Sequence, residues 1–155
     1  MGEWQTRCRE ALGVRGEANR GEKASFRMDK PYKNLDLWNA AIELVVAIHR
    51  VTDSFPKEEQ YGITNQMRRA VSSVPSNVAE GAARQTKREF INYLHMAQGS
   101  LSELDTHLEL ARRLGYLAEQ SWASLDRHVE RIDKMLSGLI RHQKANSVKR
   151  VIARS

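Results

Sequence analysis

A single cysteine, Cys8, stands in 155 residues, so no intramolecular disulfide can form and no CxxC or Cys/His metal-site spacing exists. A reduced, cytoplasmic setting is the simplest expectation. Long apolar runs are also missing. Nothing approaches the ~18 consecutive apolar residues of a membrane-spanning helix, so no membrane partner is expected. The first thirty residues carry Glu3, Arg7, Arg9, Glu10, Arg15, Glu17 and Arg20 without an apolar stretch, which predicts neither a secretory signal nor an anchor there.

Catalytic signatures are just as scarce. No Gly-rich phosphate loop, HExxH, GxSxG or P-loop pattern occurs. Carboxylate di-iron bundles need Glu-x-x-His on two helices, yet none of His49, His95, His107, His128 and His142 has an acidic residue three positions earlier. Glu103 and His107 are four apart, a spacing that suits a salt bridge at least as well as a metal pair. The expectation is a chain without enzyme activity, metal or cofactor.

A length of 155 residues fits one domain, large enough to bury roughly 70% of its unfolded surface. The formal charge of +6 is unevenly placed: residues 1–30 carry +2 and residues 141–155 carry +5, which leaves residues 31–140 at −1. Residues 1–30 are polar, aperiodic and interrupted by Gly13, Gly16 and Gly21, and read as a flexible extension. Met28 offers an alternative start. Residues 144–155, with Lys144, Lys149, Arg150 and Arg154, read as a basic flexible tail.

Between them, residues 31–143 show four helical periods. The first is expected to start with Asp36 as N-cap and to bury Trp38, Ala41, Ile42, Val45 and Ile48. Pro56 suits the first turn of the second, with Glu58 and Glu59 against the macrodipole. Its seam is Met67, Val71, Val74 and Val78, interrupted by Pro75, which predicts a kink rather than an end because the period continues beyond it. In the third, Thr86 and Glu89 have capping-box spacing ahead of Phe90, Leu94, Ala97, Leu101, Leu104, Leu108 and Ala111, and Gly115 provides the C-terminal cap. Ser121 can cap the fourth, whose seam is Trp122, Leu125, Val129, Ile132, Leu136 and Leu139. Short connections make this an all-α, antiparallel, up-down-up-down four-helix bundle.

Three segments carry a resemblance: Tyr32-Lys33-Asn34-Leu35-Asp36-Leu37-Trp38, QMRRAVSSVPSNVAEGAAR over 66–84, and FINYLHMAQGSLSEL over 90–104. Together they resemble the four-helix-bundle family named after proteins encoded in 23S ribosomal RNA intervening sequences, strongly over Tyr32 to Leu117 and more weakly into the fourth helix. The resemblance implies a left-handed bundle that assembles as a homopentamer with a central opening. A related branch, the accessory variability proteins of diversity-generating retroelements, partners a reverse transcriptase and binds nucleic acid. For this chain, DNA, RNA or such an enzyme is then a partner by analogy only.

Two constellations remain. Gln66, Arg69, Ser73, Asn77, Glu80 and Arg84 form a polar stripe beside the second seam. Its leading reading is structural: Arg69, Asn77 and Glu80 bond across helices or subunits, with Glu103 as a partner for Arg69. A ligand or nucleic-acid site around Arg69 and Arg84, or a plain solvated face, are the alternatives. Arg68, Arg69, Arg84, Lys87 and Arg88 form a basic cluster that a ring of subunits would repeat, although few aromatics stand by for base stacking.

Overall fold

The computed structural model describes residues 30–152, with side chains as far as residue 145. Four helices account for most of it: α1 (Asp36–Thr52), α2 (Ile63–Ala82), α3 (Lys87–Arg113) and α4 (Glu119–Ile152). Short 3-10 turns at Pro31–Asn34 and Lys57–Gln60 precede α1 and α2. Among the described residues there is no strand. The helices pack α1 on α2, α2 on α3, α3 on α4 and α4 back on α1, which places α4 diagonally across from α2. Residues late in α3 meet residues early in α4, as where Arg112 bonds Glu119, and mid-α3 Gln98 bonds Asp133 and Ser137 further along α4. These two helices are therefore antiparallel.

The third helix obeys its sequence throughout. All seven apolar positions from Phe90 to Ala111 are buried. Thr86 Oγ1 accepts from the Glu89 amide at 3.2 Å while the Glu89 carboxylate accepts from the Thr86 amide at 3.2 Å, which completes the capping box. At the other end Gly115 takes a φ of +76°. The amide of Tyr116 donates to Ala111 O at 3.0 Å and that of Gly115 to Arg112 O at 3.0 Å, the paired bonds of a Schellman motif. In α2 the seam of Met67, Val71, Val74 and Val78 is fully buried, and the helix runs unbroken through Pro75 to Ala82.

Other expectations need correction. Leu35, not Asp36, is the N-cap of α1 and makes no side-chain cap bond; Asp36 is the first helical residue and contributes through its charge. The α1 core is Leu37, Ala40, Ala41, Leu44 and Ile48, rotated from the expected face, so Trp38, Ile42 and Val45 are only half-buried. Apolar residues nearly encircle this helix, and periodicity does not choose between adjacent stripes. The second α-helix begins at Ile63 rather than Pro56 because a 3-10 turn and Gly62 intervene; the Glu59 carboxylate then accepts from the Ile63 amide at 3.2 Å. The fourth helix starts at Glu119, ahead of Ser121. Its seam ends on Ile140 and Gln143 rather than Leu139, and its backbone stays helical to Ile152, past the boundary expected near residue 143. Residues 1–29 and 153–155, which hold most of the expected extension and the end of the tail, lie outside the described residues.

Glycines separate packing demand from its absence. A Cβ at Gly81 would lie 2.7 Å from the Tyr93 Cβ and 2.9 Å from Phe90 Cδ2, whereas one at Gly99 would meet nothing within 4 Å. Gly81→Ala should therefore destabilise by about 1–3 kcal/mol through overpacking. Gly99→Ala should stabilise by about 0.5–1 kcal/mol, as a helix-interior glycine replacement does. Denaturant melts of the two variants check the pair, and equal effects would contradict this packing. Leu104→Ala, at a position with no exposure, should cost about 2–5 kcal/mol in the same measurement.

Candidate functional site

Close approach at Gly81 brings the end of α2 against the start of α3, and this positions the most organised polar group on the bundle. Tyr93 donates its hydroxyl to the Glu80 carboxylate at 2.8 Å. Arg84, one turn beyond Glu80, hydrogen-bonds both Glu80 and the Tyr93 oxygen, and its guanidinium carbon lies 4.8 Å from the Tyr93 ring centroid. The Tyr93 bond, together with Arg84, holds the Glu80 carboxyl below its ordinary range against a desolvation effect of opposite sign. The same bond to Glu80, with burial, pushes the Tyr93 phenol up. Glu80 thus bonds across helices as expected, through Tyr93, a residue the sequence pattern did not single out. Lys87, half-buried, and Arg88, exposed, sit on the first turn of α3 beside this group.

The other cluster members go elsewhere. Arg68 is at the opposite end of α2, where Nε donates to Thr52 Oγ1 at 2.9 Å and Nη2 to Asp53 Oδ1 at 2.7 Å and His49 O at 3.4 Å. It closes the C-terminal end of α1, where a cation suits the exposed carbonyls. Sixteen positions of helix and turn separate it from Arg84, roughly 24 Å at helical rise. The five basic residues therefore do not form one patch. Arg69 is exposed and does not pair with Glu103, which instead faces His107 on its own helix at 3.9 Å. Asn77 also stays local: its Nδ2 donates to Ser73 O at 2.9 Å, just as Ser73 Oγ donates to Arg69 O at 2.9 Å. Gln66 is exposed.

Charge is sorted sharply around α4. Toward α3 a groove of about 250 Å³ has Leu101 and Val129 among its apolar lining and Asp105, Asp126, Glu130 and Asp133 as its carboxylates. Burial, then the charges of Asp126 and Glu109, pushes the Asp105 carboxyl up. The outward side of α4 carries Arg127, Arg131, Lys134 and Arg141, all exposed, in a row whose 4-3-7 spacing is plain in the sequence. Near the α3–α4 turn, Glu109 accepts from Arg112 and Arg113, Arg112 also bonds Glu119, and the Arg112 guanidinium lies 4.6 Å from the Trp122 ring. Among the described residues no group of His, Cys, Asp and Glu is arranged to hold a metal ion, and no helix is long and apolar enough to cross a membrane.

A family model described as 23S rRNA-intervening sequence protein matches residues 33–138, which include α1 to α3 and more than half of α4. A crystal structure of a protein with unknown function from the S23 ribosomal protein family of Bacteroides thetaiotaomicron has a similar fold. Its TM-score is 0.63 at 24% identity, and the alignment covers 67% of this chain and 97% of that one. At this identity the likeness concerns the fold alone. No curated protein matches the chain.

The ionisations have opposite signs. Hydrogen bonds from Arg112 and Arg113 lower the Glu109 carboxyl from 4.5 to about 2, so its contribution to stability is present above the unfolded value and is lost as pH falls toward 2. Thermal melts between those limits should show a smaller acid loss in Glu109→Gln than in the parent; identical profiles would sink the assignment. Asp105 is raised, so its ionisation opposes folding at neutral pH, and Asp105→Asn should melt higher than the parent.

Proposed function

The chain belongs to the 23S rRNA-intervening sequence protein family, and we propose that it acts without chemistry of its own, as a homo-oligomeric binding scaffold. One observation carries this reading. The rotated core of α1 leaves Trp38, Ile42 and Val45 half-covered and Val46 43% exposed, beside the uncharged stretch of α2 from Ala70 to Ala79. An apolar face depleted of charge is the composition of an interface core. A ring of five copies is the assembly that the resemblance implies, and each surface site would then recur around it. Light scattering should return a mass several times that of the chain, five times for the ring. Ile42→Glu should lower it while helix content persists; a parent protein that stays monomeric at high concentration would overturn the proposal.

Nucleic acid is the partner favoured by a second observation, the cationic corner of Arg84, Lys87 and Arg88 next to the Tyr93 ring. Each phosphate contact there would add to a salt-dependent affinity, and repetition in a ring would multiply weak contacts. Binding of labelled DNA and RNA should weaken steeply from about 50 to about 200 mM salt. Absence of binding at the lower salt would leave the rival reading, a protein–protein adaptor that binds no nucleic acid and uses the α2 polar stripe for subunit assembly, in its place.

A further inference from the structure

We propose that the outward ridge of α4, rather than the α2–α3 corner alone, is where a nucleic-acid backbone lies on this protein; this rests on the nucleic-acid reading above. The ridge consists of Arg127, Arg131, Lys134 and Arg141, exposed and spaced four, three and seven along one helix. From first to last they span about 21 Å at helical rise, the length of about six nucleotides at 3.4 Å each.

What distinguishes these side chains is that they are left open. Arg68 is paired with Asp53, Arg84 with Glu80, Arg112 with Glu109 and Glu119, and Arg113 with Glu109. On the ridge only Lys134 has an acidic partner, Glu130 at 2.6 Å; Arg127, Arg131 and Arg141 make no hydrogen bond or ion pair among the described residues. Arg50, Arg69 and Arg88 are exposed as well, but they are distributed over three other helices and form no row. The open ridge positions are arginines, whose planar guanidinium matches phosphate oxygens in pairs.

Two features around the ridge fit the same occupant. Gly138 lies in line between Lys134 and Arg141, and a Cβ there would meet nothing within 4 Å, so internal packing does not call for glycine. Its missing side chain leaves a notch into which a ligand backbone can come close. Asp126 and Asp133 turn to the other side of α4, into the groove against α3, where they would repel a polyanion and confine it to the ridge, while Glu130 borders both the groove and the ridge, where it holds Lys134. The ridge is also on the helix diagonal to α2, and on its α1 side Arg131 borders Ala40 and Glu43.

Full-length protein is titrated into labelled duplex DNA and duplex RNA at about 50 and about 200 mM salt. The triple variant Arg127→Glu, Arg131→Glu, Arg141→Glu is compared with the corner variant Lys87→Glu, Arg88→Glu, with a triple Gln form in reserve should the acidic one melt early. The ridge variant should bind about tenfold or more weakly, and the slope of log affinity on log salt should become shallower by about 2.7, at 0.9 per lost contact. Unchanged affinity and slope in the ridge variant would overturn the ridge; loss confined to the corner variant would do so while preserving nucleic-acid binding. Failure of the parent to bind at low salt would overturn both. Equal binding of anionic vesicles or polyglutamate, lost in the same variant, would reject nucleic acid as the occupant.

Discussion

The bundle is organised by how closely α2 and α3 approach one another, and that distance is set where residue 81 has no side chain. With Gly81 against Phe90 and Tyr93, the Met67–Val78 seam can lie along the seam that starts at Phe90. A methyl group at this point would have to displace a buried phenylalanine or the Cβ of Tyr93, neither of which is the loose end of a flexible chain. The same approach sets Glu80 and Arg84 at the height of Tyr93, so the corner's polar group is a consequence of the packing beneath it. Polar organisation at one end of the bundle and apolar closure in its middle therefore share a cause.

Electrostatics follows a division that net charge conceals. Residues 31–140 come to −1, which suggests a featureless body. In three dimensions Asp126 and Asp133 of α4 turn toward α3 while its arginines face out and Glu130 pairs with Lys134. Arg68, Arg84, Arg112 and Arg113 are tied to specific carboxylates, and Arg68 is used to close the end of α1. Exposed pairs of this sort add little stability each, so their main effect is to decide which positive charges stay unpaired.

Much of the fold was legible because several signals agreed. In α3 a strict seam, a capping box and a left-handed glycine all mark the same helix, and each appears as read. The first helix carried no such agreement: with Leu37, Trp38, Ala40, Ala41, Ile42, Leu44 and Val45 all apolar, two adjacent stripes are equally good cores, and only contact with α2 and α4 selects one. Pro56 was a sound helix-start signal overridden by Gly62, six residues on, where φ −93° and ψ −125° lie outside the helical region. The basic cluster failed for a simpler reason. Adjacent numbers such as Arg68 and Arg69 look near Arg84 on paper, but a helix converts sequence separation into axial distance. The α4 ridge lay within reach of the same periodic counting that found the seams, had it been applied to charge.

Ahead of Glu80, the polar residues of α2 around Pro75 have a structural logic different from bonding between helices. Pro75 removes one rung from the ladder, and around it Ser73, Ser76 and Asn77 each return a side-chain donor to the carbonyl four residues back. These groups are satisfied before any partner arrives. Burying a polar atom is costly when its hydrogen bonds to water are lost without replacement, and much less so when its donor is already engaged within its own helix. A surface of small, self-satisfied polar residues can therefore be covered by another subunit without a matched partner for every hydroxyl. In the assembly proposed above, such a stripe would contribute by what it does not demand, while Asn77, expected to reach across helices, stays bonded within its own helix.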